Sequence, residues 1–202
     1  MYLFGASGHA KVILDILKSN RINALGLFDD NKSGGGINGL PIVGVTEDHT
    51  SECNPCIVAI GDNGIRKNVV ERLRSAIYAS ALHAGATVAE PNDIAEGTVV
   101  MAGAVINPST KVGRHCIVNT SASVDHDCTI GDFVHIAPNA TLCGGVSVGE
   151  GTLVGSGATI IPNISIGKWV VVGAGTVVIA DVPDYAVVVG NPGRLVKIQQ
   201  HE

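Results

Sequence analysis

The chain has 202 residues, 46% of them hydrophobic, 15% charged and 3% aromatic, with a formal net charge of −5. That length accommodates one large or two small domains with a proper core, and an acidic balance without a basic run argues against nucleic acid as a partner. Gly, Pro or a charge interrupts every apolar stretch and the N-terminus lacks a signal-peptide pattern, so a cytoplasmic protein with no membrane span is expected.

Residues 1–80 alternate between strand and helix patterns. Residues 2–4 read as a strand, 5–8 as a turn, and His9 to Leu17 as a helix carrying Ala10, Ile13, Leu14 and Leu17 on one face. A second strand over 25–28 ends in Asp29 and Asp30. A loop over 31–38, an extended piece over 41–44, a buried strand over 56–60 and a helix over 63–73 follow. This order predicts a small Rossmann-like α/β domain with a doubly wound parallel sheet. Ligands of such sheets sit at the carboxyl ends of the strands. Three ends are marked here: Gly5 to His9, Asp29 with Asp30, and Gly61. A glycine turn entering a helix offers free N–H groups and suits phosphate. Asp29 follows Gly8 at about the spacing of a ribose-binding carboxylate, but the loop is GxxG and not the GxGxxG of a dinucleotide fold. A nucleotide-linked ligand is therefore expected over a redox cofactor.

Residues 81–202 carry a different signal. Sixteen aliphatic residues recur at every sixth position from Val88, Ile94 and Val100 to Ile166, Val172 and Val178. Neither a helix nor a flat strand repeats at six. A parallel β-helix of triangular section does, with one hexad per side and eighteen residues per coil. Small or aliphatic residues four places on, such as Cys116, Ala122, Cys128 and Ala140, fill a second inward slot. Cys116 and Cys128 are thus expected to be buried thiols. Cys53 and Cys56 have CxxC spacing but no second pair beside them.

Residues eighteen apart stack on successive coils, about 4.8 Å apart. Above His126 lies Gly144 and above Asp127 lies Gly145, a bare step with room for a thioester and an exposed N–H. Pro138, Ser156 and Ala174 form another column, flanked by glycines, along which an extended pantetheine arm fits. Imidazole titrates near neutral pH and can take a proton from an amine or hydroxyl. Asp127 beside it favours the protonated form. His115 reads as structural, and His49, His83 and His201 as surface residues.

Together these residues resemble the bacterial sugar acyltransferases of the hexapeptide-repeat superfamily. The nearest members are N-acetyltransferases acting on nucleotide-linked 4-amino sugars, as in bacillosamine synthesis; sialic acid O-acetyltransferases share the two-domain plan. The resemblance runs through Gly5–His9, Phe28–Asp30, Ala59–Gly61 with Ile65–Lys67, Asn119–Ser121, His126–Asp127, Ile130–His135 and Gly190–Arg194.

The resemblance implies a left-handed β-helix, a homotrimer with active sites between subunits, and acetyl-CoA as co-substrate with no metal. It implies that His126 is the base and Asp127, where the family commonly has Glu, its polarising carboxylate. Ser7, Gly8, His9, Asp29, Asp30 and Gly61 would hold the nucleotide, and Asn119 would line the sugar pocket. His135, Ser156 and Ala174 would contact acetyl-CoA. The expected reaction is direct acetyl transfer to the 4-amino group, with the Gly144 N–H on the oxyanion. Sialic acid O-acetylation is the alternative. A zinc hydratase on the same scaffold would need three converging histidines, and a non-catalytic nucleotide-sugar-binding trimer would bind without releasing thiol.

Overall fold

The computed structural model describes residues 1–31, 34–73 and 75–200. Lys32 and Ser33 of the expected 31–38 loop, and His201, lie outside the described residues.

The N-terminal unit is a five-stranded sheet of order β3-β4-β2-β1-β5, built from β1 (Tyr2–Phe4), β2 (Gly26–Phe28), β3 (Gly36–Ile37), β4 (Leu40–Gly44) and β5 (Cys56–Val58). All neighbours are parallel except β3 and β4. The helix α1 (Gly8–Ser19) buries Ala10, Ile13, Ile16 and Leu17, a single helical stripe. That stripe packs on Leu3, Leu27 and Ile57 of the sheet, and the same cluster takes in Val99, Met101 and Ile117 of the repeat region. On the opposite face of the sheet, α2 (Asn63–Arg72) sets Val69 against Phe4, Phe28 and Val58. Asp62 caps α2 by accepting a hydrogen bond from the Ile65 N–H at 2.8 Å.

One expected loop contains structure. β3 returns on β4 through Asn38 (φ 52°) and Gly39 (φ 82°), the pair of left-handed residues that a tight hairpin turn requires. The Asn-Gly pair is a sequence signal for that turn.

From Ala81 onward the chain winds into a left-handed β-solenoid of two-residue strands. Its first face stacks Ala81–Leu82, Val99–Val100, Ile117–Val118, His135–Ile136, Leu153–Val154 and Val171–Val172. The second stacks strands from Thr87–Val88 to Val177–Val178, and the third strands from Asp93–Ile94 to Ser165–Ile166. Parallel pairing is in the eighteen-residue register, as in Val105 with Ser123 and Ile106 with Val124. The aliphatic column fills the prism, joined by Ala104, Cys116, Ala122 and Cys128. Thr98, Thr110 and Thr152 in the inward slot are satisfied by the ladder, Thr152 Oγ1 donating to Gly167 O and accepting from the Val170 N–H, whereas Thr176 Oγ1 is buried without a partner among the described residues. At each corner the residue three past the aliphatic takes a left-handed conformation, from Gly97 through Asp127 and Asn139 to Gly175.

The last segment holds a feature that the hexad pattern does not carry. Ala186–Val189 extends the first face in parallel, and Arg194–Ile198 folds back on it antiparallel.

Candidate active site

His126 precedes the corner between the second and third faces. Asp127 occupies that corner with φ 59°, which turns its carboxylate back onto the imidazole. His126 Nδ1 and Asp127 Oδ2 are 2.7 Å apart, so aspartate spans the gap without glutamate's extra methylene. Asp125 Oδ1 accepts from the His126 N–H and from Asn107 Nδ2, each at 2.8 Å. The hydrogen bond to Asp127, and then the charge of Asp125, raise the His126 pKa above its ordinary value. With Nδ1–H donated to Asp127, Nε2 carries the free lone pair.

Gly144 sits one coil further on. A methyl on its Cα would lie 2.7 Å from both Cε1 and Nε2 of His126, so only glycine leaves that approach open. The Gly145 N–H donates to His126 O at 2.9 Å. The Gly144 N–H has no partner among the described residues. The His126 side chain is 60% exposed in the single chain.

The marked ends of the N-terminal sheet lie side by side. Gly5, at φ 106°, lets β1 run close past β5, because a Cβ there would meet Ala59 O and Ile60 Cγ1 at 2.9 Å. Ser7 is the N-cap of α1 and leaves its side chain unused for capping, and Gly8 opens the helix with clear space around it. Asp29 Oδ2 accepts from the Ala6 N–H at 2.6 Å and Oδ1 from the Asn31 N–H at 2.9 Å, which ties two of the three ends together. Asp30 accepts from the Thr46 N–H and pairs with Arg72 at 2.8 Å. Burial works to raise the Asp30 pKa, but Thr46 and Arg72 outweigh it and hold the carboxyl below its usual range. A cleft of about 400 Å³ opens beside Asp29 and Asp30. Another of about 580 Å³ opens between Gly61, Asn63, Lys67, His135, Leu153 and Trp169.

Asn119 and His135, expected to meet the sugar and acetyl-CoA respectively, form one hydrogen-bonded pair. The Thr120 N–H donates to Asn119 Oδ1, which leaves Asn119 Nδ2 to donate to His135 Nε2 at 2.9 Å. The other side of the ring meets the Gly61 carbonyl, and burial, followed by the charge of Arg66, pushes the His135 pKa down to about 4. His9 is likewise lowered to about 4, by burial and then by His135 and Arg66. Its Nε2 is buried without a partner among the described residues. His9, Gly61, Asn119 and His135 thus converge on the first face of the solenoid.

Ser156 and Ala174 are exposed at the corner between the first and second faces. Backbone bonds link their column: Gly157 N–H to Pro138 O and Gly175 N–H to Ser156 O, both 2.9 Å. The groove beside it is bare because a Cβ on Gly155 would meet Val172 O at 2.5 Å. This column and the His126 corner are separated by the whole second face. One chain therefore holds the expected base and the expected acetyl-CoA groove at two different corners.

Residues 1–73 match the family described as PglD N-terminal domain, and 127–162 and 145–180 match bacterial transferase hexapeptide (six repeats). A mutant perosamine N-acetyltransferase from Caulobacter crescentus, in complex with CoA and GDP-perosamine, is 35% identical with a TM-score of 0.93. That match covers 97% of this chain and 96% of that one. The acetyltransferase domain of PglB from Neisseria gonorrhoeae, in complex with acetyl coenzyme A, is 34% identical over 96% of this chain and 98% of that one, with a TM-score of 0.90. WeeI from Acinetobacter baumannii is 26% identical, covering 96% and 98%, with a TM-score of 0.87. Among curated proteins, the uncharacterized protein L142 of Acanthamoeba polyphaga mimivirus is 34% identical over 101 residues, half of this chain but 21% of that protein.

This chain belongs to the hexapeptide-repeat nucleotide-amino-sugar N-acetyltransferases.

In this acetyltransferase no cluster of His, Cys, Asp or Glu able to hold a metal ion occurs among the described residues, and all five cysteines are free. His115 is buried, stacked on Phe133 at 5.3 Å and edge-on to Tyr78 at 4.4 Å. Two residues without an expected role stand close to the site. Asp125 adds a second carboxylate at His126. Arg66, lying in the motif at Ile65–Lys67, is 1% exposed. A charged side chain on a short helix gives no sequence signal of burial.

Proposed function

We propose that this protein transfers acetyl from acetyl-CoA to the 4-amino group of a nucleotide-linked amino sugar, with His126 as general base. The observation that carries this reading is the His126–Asp127 bond together with the open Gly144 step in front of Nε2. Relatives that span nearly the whole chain include proteins solved with GDP-perosamine and CoA and with acetyl coenzyme A.

Residues 1–80 would hold the nucleotide through Ser7, Gly8, His9, Asp29, Asp30 and Gly61. Residues 81–202 would perform the transfer. His126 Nε2 accepts the proton as the amine attacks the thioester carbonyl. A C–N bond forms, the C–S bond breaks, and His126 passes the proton to the departing thiolate. Such a base contributes roughly 10²–10⁴-fold. The Gly144 N–H faces the developing oxyanion, worth on the order of 3 kcal/mol. His135, Ser156 and Ala174 contact acetyl-CoA, and Asn119, hydrogen-bonded to His135, stands beside the sugar.

Because the base and that groove occupy different corners of one prism, the reaction calls for a second copy, whose His126 meets this chain's groove. A homotrimer supplies three such junctions. The 60% exposure of His126 and the apolar C-terminal strand, with Leu195, Val196 and Ile198 all over half exposed, support burial against another subunit.

The test is free thiol release from acetyl-CoA with GDP- and UDP-linked 4-amino sugars, sialic acid and CMP-sialic acid. Release with a 4-amino sugar supports the reading and identifies the nucleotide. Release with sialic acids alone moves the activity to O-acetylation. Binding of a nucleotide sugar without release makes the protein a binding module.

A further inference from the structure

Along the corner between the third and first faces, the carbonyls of the left-handed residues are not used by the solenoid's own ladder. His115 O, Phe133 O, Gly151 O and Trp169 O follow one another at eighteen-residue steps, and side chains from elsewhere take each of them. Arg66 Nε donates to His115 O at 2.9 Å and Arg66 Nη2 to Phe133 O at 2.8 Å. Asn63 Nδ2 donates to Gly151 O at 3.0 Å, and Gln199 Nε2 to Trp169 O at 3.4 Å. Three of these four contacts come from α2, so the N-terminal unit is pinned to three successive coils in register.

The same guanidinium grips the unit's own ligand loop. Arg66 Nη1 donates to Ile60 O at 3.0 Å and Gly61 O at 3.1 Å, while Nη2 also reaches Asn63 Oδ1 at 2.8 Å. Every acceptor is neutral, and no carboxylate lies within ion-pair distance of Arg66 among the described residues. Burial pulls its pKa down to about 10, so it stays protonated at neutral pH. A buried cation without a counter-ion is costly unless its donors are filled, and the planar fork of arginine fills five acceptors from three segments where an ammonium would not.

We propose that Arg66 is a positioning residue for the nucleotide sugar: it holds the Ile60–Gly61 loop at a fixed height on the solenoid, opposite His135. This rests on the proposed function, in which Gly61 contacts the nucleotide. Through Gly61 O, which also meets the His135 ring, the loop and the Asn119–His135 pair share one frame. Loss of that frame weakens capture of the nucleotide sugar and leaves the Ser156 and Ala174 groove, across the first face, in place.

The experiment compares wild type, Arg66→Lys and Asn63→Ala by steady-state kinetics in both substrates and by hydrogen exchange of residues 58–66. The expected result is a KM for the nucleotide sugar raised about tenfold in Arg66→Lys, the factor a lost charge-assisted hydrogen bond brings. The KM for acetyl-CoA stays within about twofold of wild type, within the usual tolerance of independent sites. Asn63→Ala, which removes one coil contact and one of the five acceptors of the fork but keeps the guanidinium, shows the same split to a smaller degree. Exchange in 58–66 rises in both variants while coils 140–170 stay protected. Equal rises in both KM values, or unchanged exchange in 58–66, overturn the proposal. An Arg66→Lys chain that fails to fold leaves Asn63→Ala to decide. A wild type without turnover defeats the functional reading, and the exchange comparison still decides whether Arg66 sets the loop.

Discussion

Gly144 stands one coil from His126, with its missing side chain at the place where a methyl would touch Nε2 at 2.7 Å. Its φ lies outside the left-handed region, so the need for glycine here is steric and not conformational. Gly144→Ala is expected to fold with wild-type circular dichroism and to lose activity by about 10²-fold, the effect of misplacing a catalytic group by an ångström. A Gly144→Ala enzyme with full kcat would show that the step in front of Nε2 is not where transfer happens.

The His126 pair is expected to set the pH dependence. A general base works as neutral imidazole, and Asp127 and Asp125 raise the pKa of His126. Activity should therefore rise with pH through a midpoint above the ordinary histidine value of about 6.5. Asp127→Asn removes the main cause, so the midpoint moves to lower pH while kcat falls roughly 10- to 100-fold. The kcat/KM profile of both proteins checks this; a midpoint that does not move would remove Asp127 from its role.

Cys143 is half-buried next to Gly144. Direct transfer needs no thiol, so Cys143→Ala should keep most of the wild-type kcat. A burst of thiol release before the acceptor is added, lost in Cys143→Ala, would reveal an acyl-enzyme instead.

Much of the solenoid was legible because a period of six has few physical solutions. The stacked columns followed from it: His126 with Gly144, and Pro138 with Ser156 and Ala174, are neighbours in space. Pro138 lies twelve residues after His126, two thirds of a coil, so the two columns occupy different corners of one chain. Handedness was not in the periodicity, since either hand repeats at eighteen. The docking of α2 was hidden for another reason. Arg66 spends its charge on carbonyls, and backbone acceptors leave no residue-type signature. The hairpin of Ala186–Val189 and Arg194–Ile198 lies beyond the last hexad, where the pattern that served as guide ends.

Acid should loosen the junction of the two units. His9, His115 and His135 are each held near pKa 4, chiefly by burial. In the unfolded chain they bind protons from about pH 6.5 downward. The unfolded state thus binds more protons between about pH 6.5 and 4, and stability declines as pH falls through that window. Tm measured across it should drop steeply. His115→Phe, which keeps the stack with Phe133 and Tyr78, should flatten the slope; an unchanged slope would mean that burial of His115 contributes nothing to acid sensitivity.

The most direct measurement is thiol release from acetyl-CoA by wild type and His126→Ala, with the acceptor amino sugar that the wild type uses and the product checked for a new amide. Wild type is expected to form an N-acetylated nucleotide sugar, and His126→Ala to show a kcat reduced by roughly 10²–10⁴-fold. A His126→Ala enzyme that forms the amide at the wild-type rate would contradict the role of His126 as base.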